Sequence, residues 1–270
     1  MILYMMVVYN KRMQKLIFSY WDSPYVPHIV HECIKSWKRH NPEYRVVVLN
    51  RGNVGKLINI PTELAHFYDN KESSNPKALF ADVVRILLIE KYGGYWVDAT
   101  VYAYCSFDSL IPGAVKLDDL DFFGYYMPGF TTNKQSPIVE NWFFGAKRGS
   151  LFIKEWKDVF FRIREYKNTT KYYEDIEKQG VDLQNLLFKE YLTMHVAAQY
   201  VLQKSDRKYK IIVNNCDLGP FAYLQTSDWD QKKAFDLLLS DNDIYYKQTL
   251  LKIRGTDRKY ITGNKQIPFQ

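Results

Sequence analysis

The chain has 270 residues, of which 47% are hydrophobic and 16% aromatic, and its formal net charge is +7. This much apolar surface excludes a disordered chain and is sufficient for a full core. The positive charge favours anionic partners such as nucleotide diphosphates, lipid phosphates or nucleic acid, although a solvated lysine-rich surface would carry the same charge.

The sequence contains three scattered cysteines, Cys33, Cys105 and Cys216. Their spacing fits neither a metal site nor a disulfide framework, so a reducing cytoplasm is the expected setting. The first nine residues are apolar but too short to span a bilayer, which needs about 20 residues, and they lack the basic region and cleavage site of a signal peptide. We expect the segment at residues 1–14 either to touch the inner face of a membrane or to form an edge strand.

The first half of the sequence predicts strands and helices in alternation. Strands are predicted at residues 15–20, 44–49 and 95–102, and helices at residues 26–39 and from Pro76 to about Gly93. Such alternation is typical of an α/β protein with a mostly parallel sheet, which binds ligands at the carboxyl ends of its strands. We expect three segments at predicted strand ends to converge on one edge of that sheet: Trp21-Asp22, Asn50 and Asp98-Ala99-Thr100.

The second half has a less regular pattern. Strands are predicted at residues 121–126, 141–146, 209–213 and 250–253, and helices at residues 151–166 and 183–202. Residues 214–220 are predicted to form a functional or simply tight loop, and the tail after Gly255 is polar and basic. Because no internal repeat, low-complexity segment or clear linker is present, a single domain over residues 1–270 is the simplest account.

The helix that begins at Pro76 contains two charges that its apolar pattern does not explain. Apolar residues surround it almost completely, which predicts a buried helix. Asp82 and Arg85 nevertheless lie on one of its faces, and burying them is costly unless they pair or bind a ligand. In the strand that follows, Asp98 and Thr100 are two residues apart and should share a face. These four groups predict a ligand site; the alternative is an internal Asp82–Arg85 ion pair with Asp98 capping a turn.

The sequence has no phosphate-binding loop, dinucleotide fingerprint, zinc-protease motif or nucleophile elbow. Chemistry therefore has to come from carboxylates and amides. Carboxylates accept hydrogen bonds from sugar hydroxyls, an arginine donates to sugar or phosphate oxygens, and a tryptophan can stack on a base. This combination suits a sugar nucleotide. Nucleic-acid binding is not favoured, because the basic residues are dispersed among acids rather than clustered with aromatic residues.

One segment, residues 78–101, resembles the signature of the capsular polysaccharide synthesis proteins; it reads A-L-F-A-D-V-V-R-I-L-L-I-E-K-Y-G-G-Y-W-V-D-A-T-V. That group belongs to glycosyltransferase family 32, whose GT-A core is similar to that of the glucosylating clostridial toxins. The resemblance extends upstream through I-F-S-Y-W-D and residues 26–50, is specific over the first 110 residues, and is looser beyond them.

The resemblance implies a fold and a division of the chain. The fold would be an α/β, GT-A (Rossmann-like) glycosyltransferase fold, with a mostly parallel central sheet and helices on both faces. Residues 1–110 would form the half that binds the nucleotide sugar. Residues 111–270 would form the acceptor-binding half and a C-terminal lid.

The resemblance also implies roles for residues at the strand ends. Trp21 and Asp22 would lie against the uracil or ribose of a UDP-sugar, and Asn50 would lie near the nucleoside. Asp82 and Arg85 would hold the hydroxyls of the donor sugar.

Asp98 would open the D-x-D motif, in which two carboxylates normally surround a divalent cation that bridges the diphosphate. Thr100 stands where the second acid is expected, and a hydroxyl is a weak ligand for Mn²⁺ or Mg²⁺. A metal would then need Asp98 together with a late residue, either Asp217 or His195. A turn aspartate and a helix-packing histidine are the alternative explanations of those two residues.

Without a metal, another cation would have to neutralise the leaving diphosphate. Lys252 and Arg254 are the candidates, although an exposed basic tail would explain both equally well. Asn141 and Trp142 are candidates for contact with the acceptor or sugar, and a buried strand is the alternative for them.

The activity implied by the resemblance is a retaining glycosyl transfer from a UDP-sugar to an oligosaccharide or lipid-linked saccharide in capsule, O-antigen or exopolysaccharide synthesis. The sugar would be a hexose or N-acetylhexosamine, and Asp82, Asp98 and Arg85 would be the catalytic residues. Because no covalent nucleophile is evident, we expect front-face displacement, in which the departing UDP oxygen helps to deprotonate the acceptor. The alternative is a non-catalytic nucleotide-sugar-binding module, which Thr100 alone supports.

Overall fold

The computed structural model describes residues 15–68, 75–240 and 249–258. Residues 1–14 and the tail beyond residue 258 lie outside this range, so the membrane contact, the edge strand and the basic tail stay predictions. No helix in the described ranges is long and apolar enough to cross a bilayer.

Strands and helices alternate in the first part of the described chain, whereas strands and then helices follow one another in the second part. The strands are β1 (Leu16–Tyr20), β2 (Arg45–Leu49), β3 (Gly94–Val97), β4 (Val101–Ala103), β5 (Phe122–Tyr126), β6 (Val139–Ala146), β7 (Ile211–Asn215) and β8 (Leu250–Lys252). The helices are α1 (His28–His40), α2 (Ala65–Tyr68), α3 (Pro76–Tyr92), α4 (Leu151–Phe161), α5 (Thr169–Lys178), α6 (Thr193–Lys204), α7 (Ala222–Gln225) and α8 (Gln231–Ser240).

The main sheet of the described residues has six strands in the order β2-β1-β3-β6-β5-β7. β1 pairs in parallel with β2 and β3, and β5 pairs in parallel with β7. β6 is antiparallel to both of its neighbours, β3 and β5. A separate two-stranded sheet pairs β4 with β8 in antiparallel register. The mostly parallel α/β sheet predicted from the sequence is confirmed.

Two hydrophobic cores lie on opposite faces of the main sheet. Phe18 and Trp96 belong to one core, together with apolar residues of α3, α4, α5 and α6. Ile17 and Tyr95 belong to the other, together with α1, α7, α8 and the β4–β8 pair. Neighbouring residues of one strand thus enter different cores, as the two-residue repeat of a strand requires. Burial on both faces explains why these strands are almost continuously apolar in sequence.

Helix α3 and the turn after it form as predicted. The Asn75 side chain accepts a hydrogen bond of 3.2 Å from a backbone N–H in the first turn, and Pro76 is the first helical residue. Gly93 and Gly94 have φ angles of +68° and +89°, a region that favours glycine. A Cβ atom on Gly94 would lie 2.4 Å from the Leu16 carbonyl oxygen. This turn therefore lets β3 begin directly beside β1.

The prediction of one continuous strand over residues 95–102 is wrong, because the strand is interrupted between Val97 and Val101. β3 ends one residue before Asp98, and β4 begins at Val101. The backbone N–H of Asp98 donates to the Trp142 carbonyl across 2.8 Å, and the N–H of Val101 donates to the Asp98 carbonyl, which closes a turn. β4 then leaves the main sheet to pair with β8. Asp98 and Thr100 therefore do not share a strand face.

The helix predicted at residues 183–202 is also wrong in its first half, because α6 begins at Thr193. Gln184 and Phe188 have φ angles of 55° and 53°, which a right-handed helix does not allow. The Gln184 side chain also accepts hydrogen bonds from two backbone N–H groups in the loop before β6. Local helix propensity is overridden here by a tertiary contact.

Two other helix predictions need correction. The helix predicted at residues 151–166 ends at Phe161 and is followed by a short 3-10 turn, Arg162–Glu165. Helices α5 and α8 were not predicted. α5 is mostly polar and buries few side chains, among them Tyr172 and Ile176, so its apolar stripe is weak in sequence.

Candidate functional site

Three strand ends place the predicted residues along one edge of the main sheet. Trp21 and Asp22 follow β1, Asn50 follows β2, and Asp98 follows β3. Because β1 is parallel to both β2 and β3, these three carboxyl ends face the same way. This is the edge at which open α/β sheets bind ligands.

Asp98 is the residue on which the charged groups of this edge converge. Its Oδ1 atom accepts hydrogen bonds of 3.0 Å from Arg85 Nη2 and 3.0 Å from Trp96 Nε1. Its Oδ2 atom accepts one of 2.7 Å from Lys252 Nζ. Burial opposes ionisation of Asp98, but Lys252 and Arg85 outweigh it and hold the pKa of this carboxyl below its usual value. Asp98 is therefore a carboxylate at neutral pH.

Arg85 connects Asp98 to the second carboxylate, Asp82. Its Nη1 atom donates to Asp82 Oδ1, and the guanidinium carbon lies 5.1 Å from the centre of the Trp96 ring. Asn141 Nδ2 donates to the same Asp82 oxygen across 3.1 Å. Burial raises the pKa of Asp82 to about 6, although the nearby Arg85 guanidinium opposes the rise. Asp82 therefore takes up a proton at a higher pH than Asp98 does.

The internal ion pair considered as an alternative from sequence does exist, and Asp98 does lie in a turn. The group is not closed off from solvent, however, because the Asp98 side chain is 24% exposed. Asn141 also adds a polar contact from β6 that an isolated helix pair would not need. A buried charge network that opens to solvent at the ligand-binding edge of a sheet is typical of a functional site.

Thr100, just before β4, and Lys252, at the end of β8, lie where the site meets β8. Thr100 is buried, and its Oγ1 atom donates to the Ile253 carbonyl across 2.7 Å. The Ile253 N–H donates to the Thr100 carbonyl across 3.0 Å. This hydroxyl binds the backbone next to Lys252, whose ammonium group reaches Asp98. Lys252 was predicted only as a cation for the diphosphate, and its contact with Asp98 was not foreseen. The Thr100 hydroxyl already has a backbone partner.

The region around Trp21 and Asp22 is basic. Asp22 Oδ1 accepts a hydrogen bond of 2.6 Å from the Tyr20 hydroxyl, and Lys77 Nζ lies 3.5 Å from Asp22 Oδ2. The Arg258 guanidinium lies 5.2 Å from the centre of the Trp21 ring. Sequence reasoning missed these two cations, since neither lies in a motif.

Asn50 contributes to the shape of its own loop. Its Oδ1 atom accepts a hydrogen bond of 2.9 Å from the Gly52 N–H. The next residue, Arg51, has its guanidinium 3.6 Å from the centre of the Phe80 ring and its Nε 3.6 Å from Asp22 Oδ1. The position of Arg51 two residues after the end of β2 was the signal available in sequence.

The two predicted acceptor contacts separate in the structure. Asn141 reaches Asp82, as described above. Trp142 points into the other core, where it stacks on Tyr125 with ring centres 5.4 Å apart. Trp142 thus corresponds to the buried-strand alternative, because successive strand residues point to opposite faces.

A buried acid–imidazole pair adjoins Asn141. Glu140 Oε2 lies 3.3 Å from His195 Nε2, and both side chains are buried. His195 Nδ1 has no hydrogen-bond partner among the described residues. The sequence signal for Glu140 was its position next to Asn141. His195 corresponds to the helix-packing alternative, on the inner face of α6.

The described residues do not assemble a metal site of the predicted kind. In these ranges no group of three or more His, Cys, Asp or Glu side chains is close enough to hold a metal ion. Asp217 lies in the turn after β7, where burial raises the pKa of its carboxyl. Both Asp98 oxygens already accept bonds from cationic or N–H donors. Mn²⁺ or Mg²⁺ needs several oxygen ligands around one point, and this donor set does not fit either ion.

Tyr191 borders the site from the segment before α6. Tyr191 is 44% exposed; partial removal of its phenol from water, followed by the negative charges of Asp82 and Asp98, raises the pKa of this phenol. The neighbouring Leu187 and Phe188 are exposed by 56% and 67%. This apolar rim was not predicted, because the segment was assigned to a helix.

The structure is that of an open α/β protein with a buried charge network at the carboxyl edge of its sheet. The family model described as "Capsular polysaccharide synthesis protein" matches residues 5–257. The chain belongs to the capsular polysaccharide synthesis protein family, and the resemblance noted from the sequence is confirmed.

Individual relatives are more distant. The chain is 28% identical over 166 residues to O-glycosyltransferase braB of Annulohypoxylon truncatum, which covers 55% of this chain and 37% of that protein. It is 26% identical over 155 residues to glycosyltransferase afumC of Aspergillus fumigatus, which covers 53% and 39%. The aligned region thus spans less than two fifths of the length of these relatives.

A solved structure, that of galactosyltransferase LgtC in complex with donor and acceptor sugar analogs, is similar over 88% of this chain and 86% of that one. The TM-score is 0.43 and the identity is 12%. A likeness this distant carries no argument about the site.

Proposed function

We propose that the chain is a glycosyltransferase that moves a hexose or N-acetylhexosamine from a UDP-sugar to a saccharide acceptor. The observation that carries the proposal is the bridge from Asp82 through Arg85 to Asp98 at the carboxyl edge of the sheet. Membership of the capsular polysaccharide synthesis family and two glycosyltransferase relatives support it. The single-domain organisation and the division near residue 110 remain part of the proposal.

The donor sugar would lie above the Asp82–Arg85 pair. Asp82 can accept hydrogen bonds from sugar hydroxyls, and Arg85 can donate to sugar or phosphate oxygens. Asn141 holds Asp82 in place from β6. The sugar would therefore be positioned by two rigid elements, a helix and a strand.

The nucleotide would occupy the edge near Trp21, Asp22 and Asn50. Trp21 offers an aromatic face for the uracil, and Asp22 offers carboxylate oxygens to the ribose. Lys77 and Arg258 lie beside these two residues and would favour the negative diphosphate.

The reaction would be a front-face displacement with retention of configuration. The bond between the anomeric carbon and the diphosphate oxygen breaks, and its electron pair leaves with UDP. The acceptor oxygen bonds to the anomeric carbon, and its proton passes to the departing phosphate oxygen. The residues of the chain would hold the reactants in place and stabilise the charge on the leaving group.

The acceptor would approach from the side of Asn141 and Tyr191. An oligosaccharide or a lipid-linked saccharide of capsule, O-antigen or exopolysaccharide synthesis is the proposed class. The exposed rim at Leu187 and Phe188 suits an acceptor that carries a lipid. A cytoplasmic location with contact at the inner face of the membrane is the setting this acceptor requires.

Release of UDP from a panel of UDP-sugars tests the proposal. The wild-type chain should release UDP from at least one of them, and Asp82→Asn should lose about 100-fold or more of that rate, as expected for a group that acts in the transition state. Asp118→Asn, an exposed residue in the turn before β5, is the matched control and should keep full activity.

A non-catalytic module remains the competing proposal, because the Thr100 hydroxyl is bonded to the backbone and offers no second acid. UDP-sugar binding without UDP release from any donor would favour that module. Full activity of Asp82→Asn would contradict the proposed site.

A further inference from the structure

In a D-x-D motif the first carboxylate is expected to contact a metal ion. Here that carboxylate, Asp98, contacts the ammonium group of Lys252. Its Nζ atom is 2.7 Å from Asp98 Oδ2, and the side chain is only 9% exposed. This oxygen of Asp98 is the one that Arg85 and Trp96 leave free. A cation bound to Asp98 through Oδ2 would therefore have to share this oxygen with the positive charge of Lys252 or displace it.

Lys252 is held in this position by its own backbone. Its N–H donates to the Pro220 carbonyl across 3.1 Å, and its carbonyl accepts a bond of 2.9 Å from the Tyr223 hydroxyl. In the β4–β8 register it lies opposite Val101, just after the turn that carries Asp98. The backbone of Lys252 is thus held by the sheet, and its ammonium group is held by the ion pair with Asp98.

Thr100 contributes directly to this arrangement. The residue that replaces the second acid of the motif donates from its hydroxyl to the Ile253 carbonyl. An aspartate at position 100 could not donate this bond, and its charge would lie against a carbonyl oxygen. Thr100 therefore lacks the carboxylate that a metal ion would need, and its hydroxyl binds the backbone next to Lys252.

Each of the two carboxylates at the centre of the site has a cationic partner. The carboxylates of Asp82 and Asp98 are matched by the Arg85 guanidinium and the Lys252 ammonium. An ammonium group has three N–H donors, and Lys252 Nζ uses one of them among the described residues. Two donors remain for phosphate oxygens, in a partly buried site where charge-assisted hydrogen bonds are strong.

We propose that Lys252 takes the place of a divalent cation in this protein, so that it binds the diphosphate of a nucleotide sugar without metal. The inference rests on the proposed function and specifies its chemistry. When the bond to the anomeric carbon breaks, Lys252 stabilises the negative charge on the departing phosphate oxygen. It transfers no proton, and it stays paired with Asp98.

Calorimetric titration with UDP, in buffer with EDTA and in buffer with Mn²⁺, tests the inference on the wild-type chain. The dissociation constant should differ by less than about three-fold between the two buffers. Mn²⁺ titrated alone, followed by its electron paramagnetic resonance signal, should show no stoichiometric binding. UDP binding that strengthens about ten-fold or more with Mn²⁺ would overturn the inference and leave the proposed function intact.

Variants identify the residue responsible. Lys252→Met keeps the length of the side chain and removes its charge, so it should weaken UDP binding about ten-fold or more in EDTA. Lys252→Arg should retain most of the affinity. Lys154→Met, an exposed residue on α4, is the matched control and should bind as the wild type does. Thermal unfolding of each variant shows whether the fold is kept, and the comparison of buffers does not depend on any variant.

Two other results would be decisive. Unchanged UDP binding by a folded Lys252→Met variant would overturn the role of Lys252. Failure of the wild-type chain to bind UDP in either buffer would overturn the proposed function, and this inference with it.

Discussion

Asn141 on β6 donates a hydrogen bond of 3.1 Å to the carboxylate of Asp82 on α3, from a position 59 residues further along the chain. The contact joins the two halves of the sequence at the site, because Asp82 belongs to the predicted donor half and Asn141 to the predicted acceptor half. The amide also satisfies an oxygen that would otherwise depend on Arg85 alone.

Replacement of this amide should affect the site more than the fold. Asn141→Ala removes a donor to a buried carboxylate, which costs about 1–3 kcal/mol. We expect turnover to fall about ten-fold or more, and the acid limb of the pH–rate profile to shift to higher pH, because ionised Asp82 loses a hydrogen bond. Asn185→Ala, at an exposed position, is the control; a profile identical to that of the wild type would contradict the assigned contact.

Asp82 should make stability depend on pH in an unusual direction. Burial raises the pKa of Asp82 to about 6, so between pH 4 and pH 6 the folded chain binds more protons than the unfolded chain. The free energy of unfolding should therefore fall as pH rises through this window. Relative to Asp82→Asn, the wild type should lose about 2 kcal/mol between pH 4 and pH 7.

Urea unfolding at a series of pH values measures this difference. Asp118→Asn supplies the background of an exposed carboxylate. A constant difference between wild type and Asp82→Asn over the whole range would show that Asp82 has an ordinary pKa.

Thr100 should matter for stability in proportion to its bond with Ile253. Thr100→Val keeps the shape of the side chain but leaves the buried Ile253 carbonyl without that donor, so unfolding should require about 1–3 kcal/mol less. Thr226→Val removes a similar bond on the surface and should cost less than about 0.5 kcal/mol. Equal midpoints of urea unfolding for these two variants would contradict the role given to Thr100.

The turn between α3 and β3 should tolerate no side chain. Gly94→Ala places a Cβ 2.4 Å from a backbone carbonyl at a φ of +89°, and it should destabilise the chain by about 3 kcal/mol or more. Gly113→Ala shares the positive φ, at +71°, but has open space around it, so it should cost about 1 kcal/mol. Both variants introduce backbone strain, but only Gly94→Ala adds a steric overlap, so the difference between their thermal stabilities measures that overlap. Equal losses of stability would count against the close approach of β3 to β1.

Much of the first half could be predicted from the sequence because its signals are local. Pro76 and Gly93 mark the ends of α3, and apolar runs mark β1 and β2. The two charges in α3 were identified as a site because an apolar helix has no other reason to carry them. These inferences needed only residues a few positions apart.

The parts of the site that were missed depend on contacts between distant segments. The break at Asp98 is caused by a hydrogen bond to the carbonyl of Trp142, which no local pattern reveals. Lys252 was a candidate cation, but its placement on Asp98 follows from the β4–β8 pairing. Tyr191 was not identified as a site residue because it lies in a predicted helix, whereas Gln184 in the same segment binds a loop instead of continuing that helix.

The ion pair between Lys252 and Asp98 also has a consequence for folding. Its partners are 154 residues apart, so it closes a very long loop, whereas Asp82 and Arg85 meet as soon as α3 forms. Contacts of such high sequence separation are formed late and are often lost in partial unfolding. Amide hydrogen exchange in β4 and β8 should therefore be faster than in β1 and β3. Lys252 would therefore reach Asp98 in the last step of folding, after most of the core has formed.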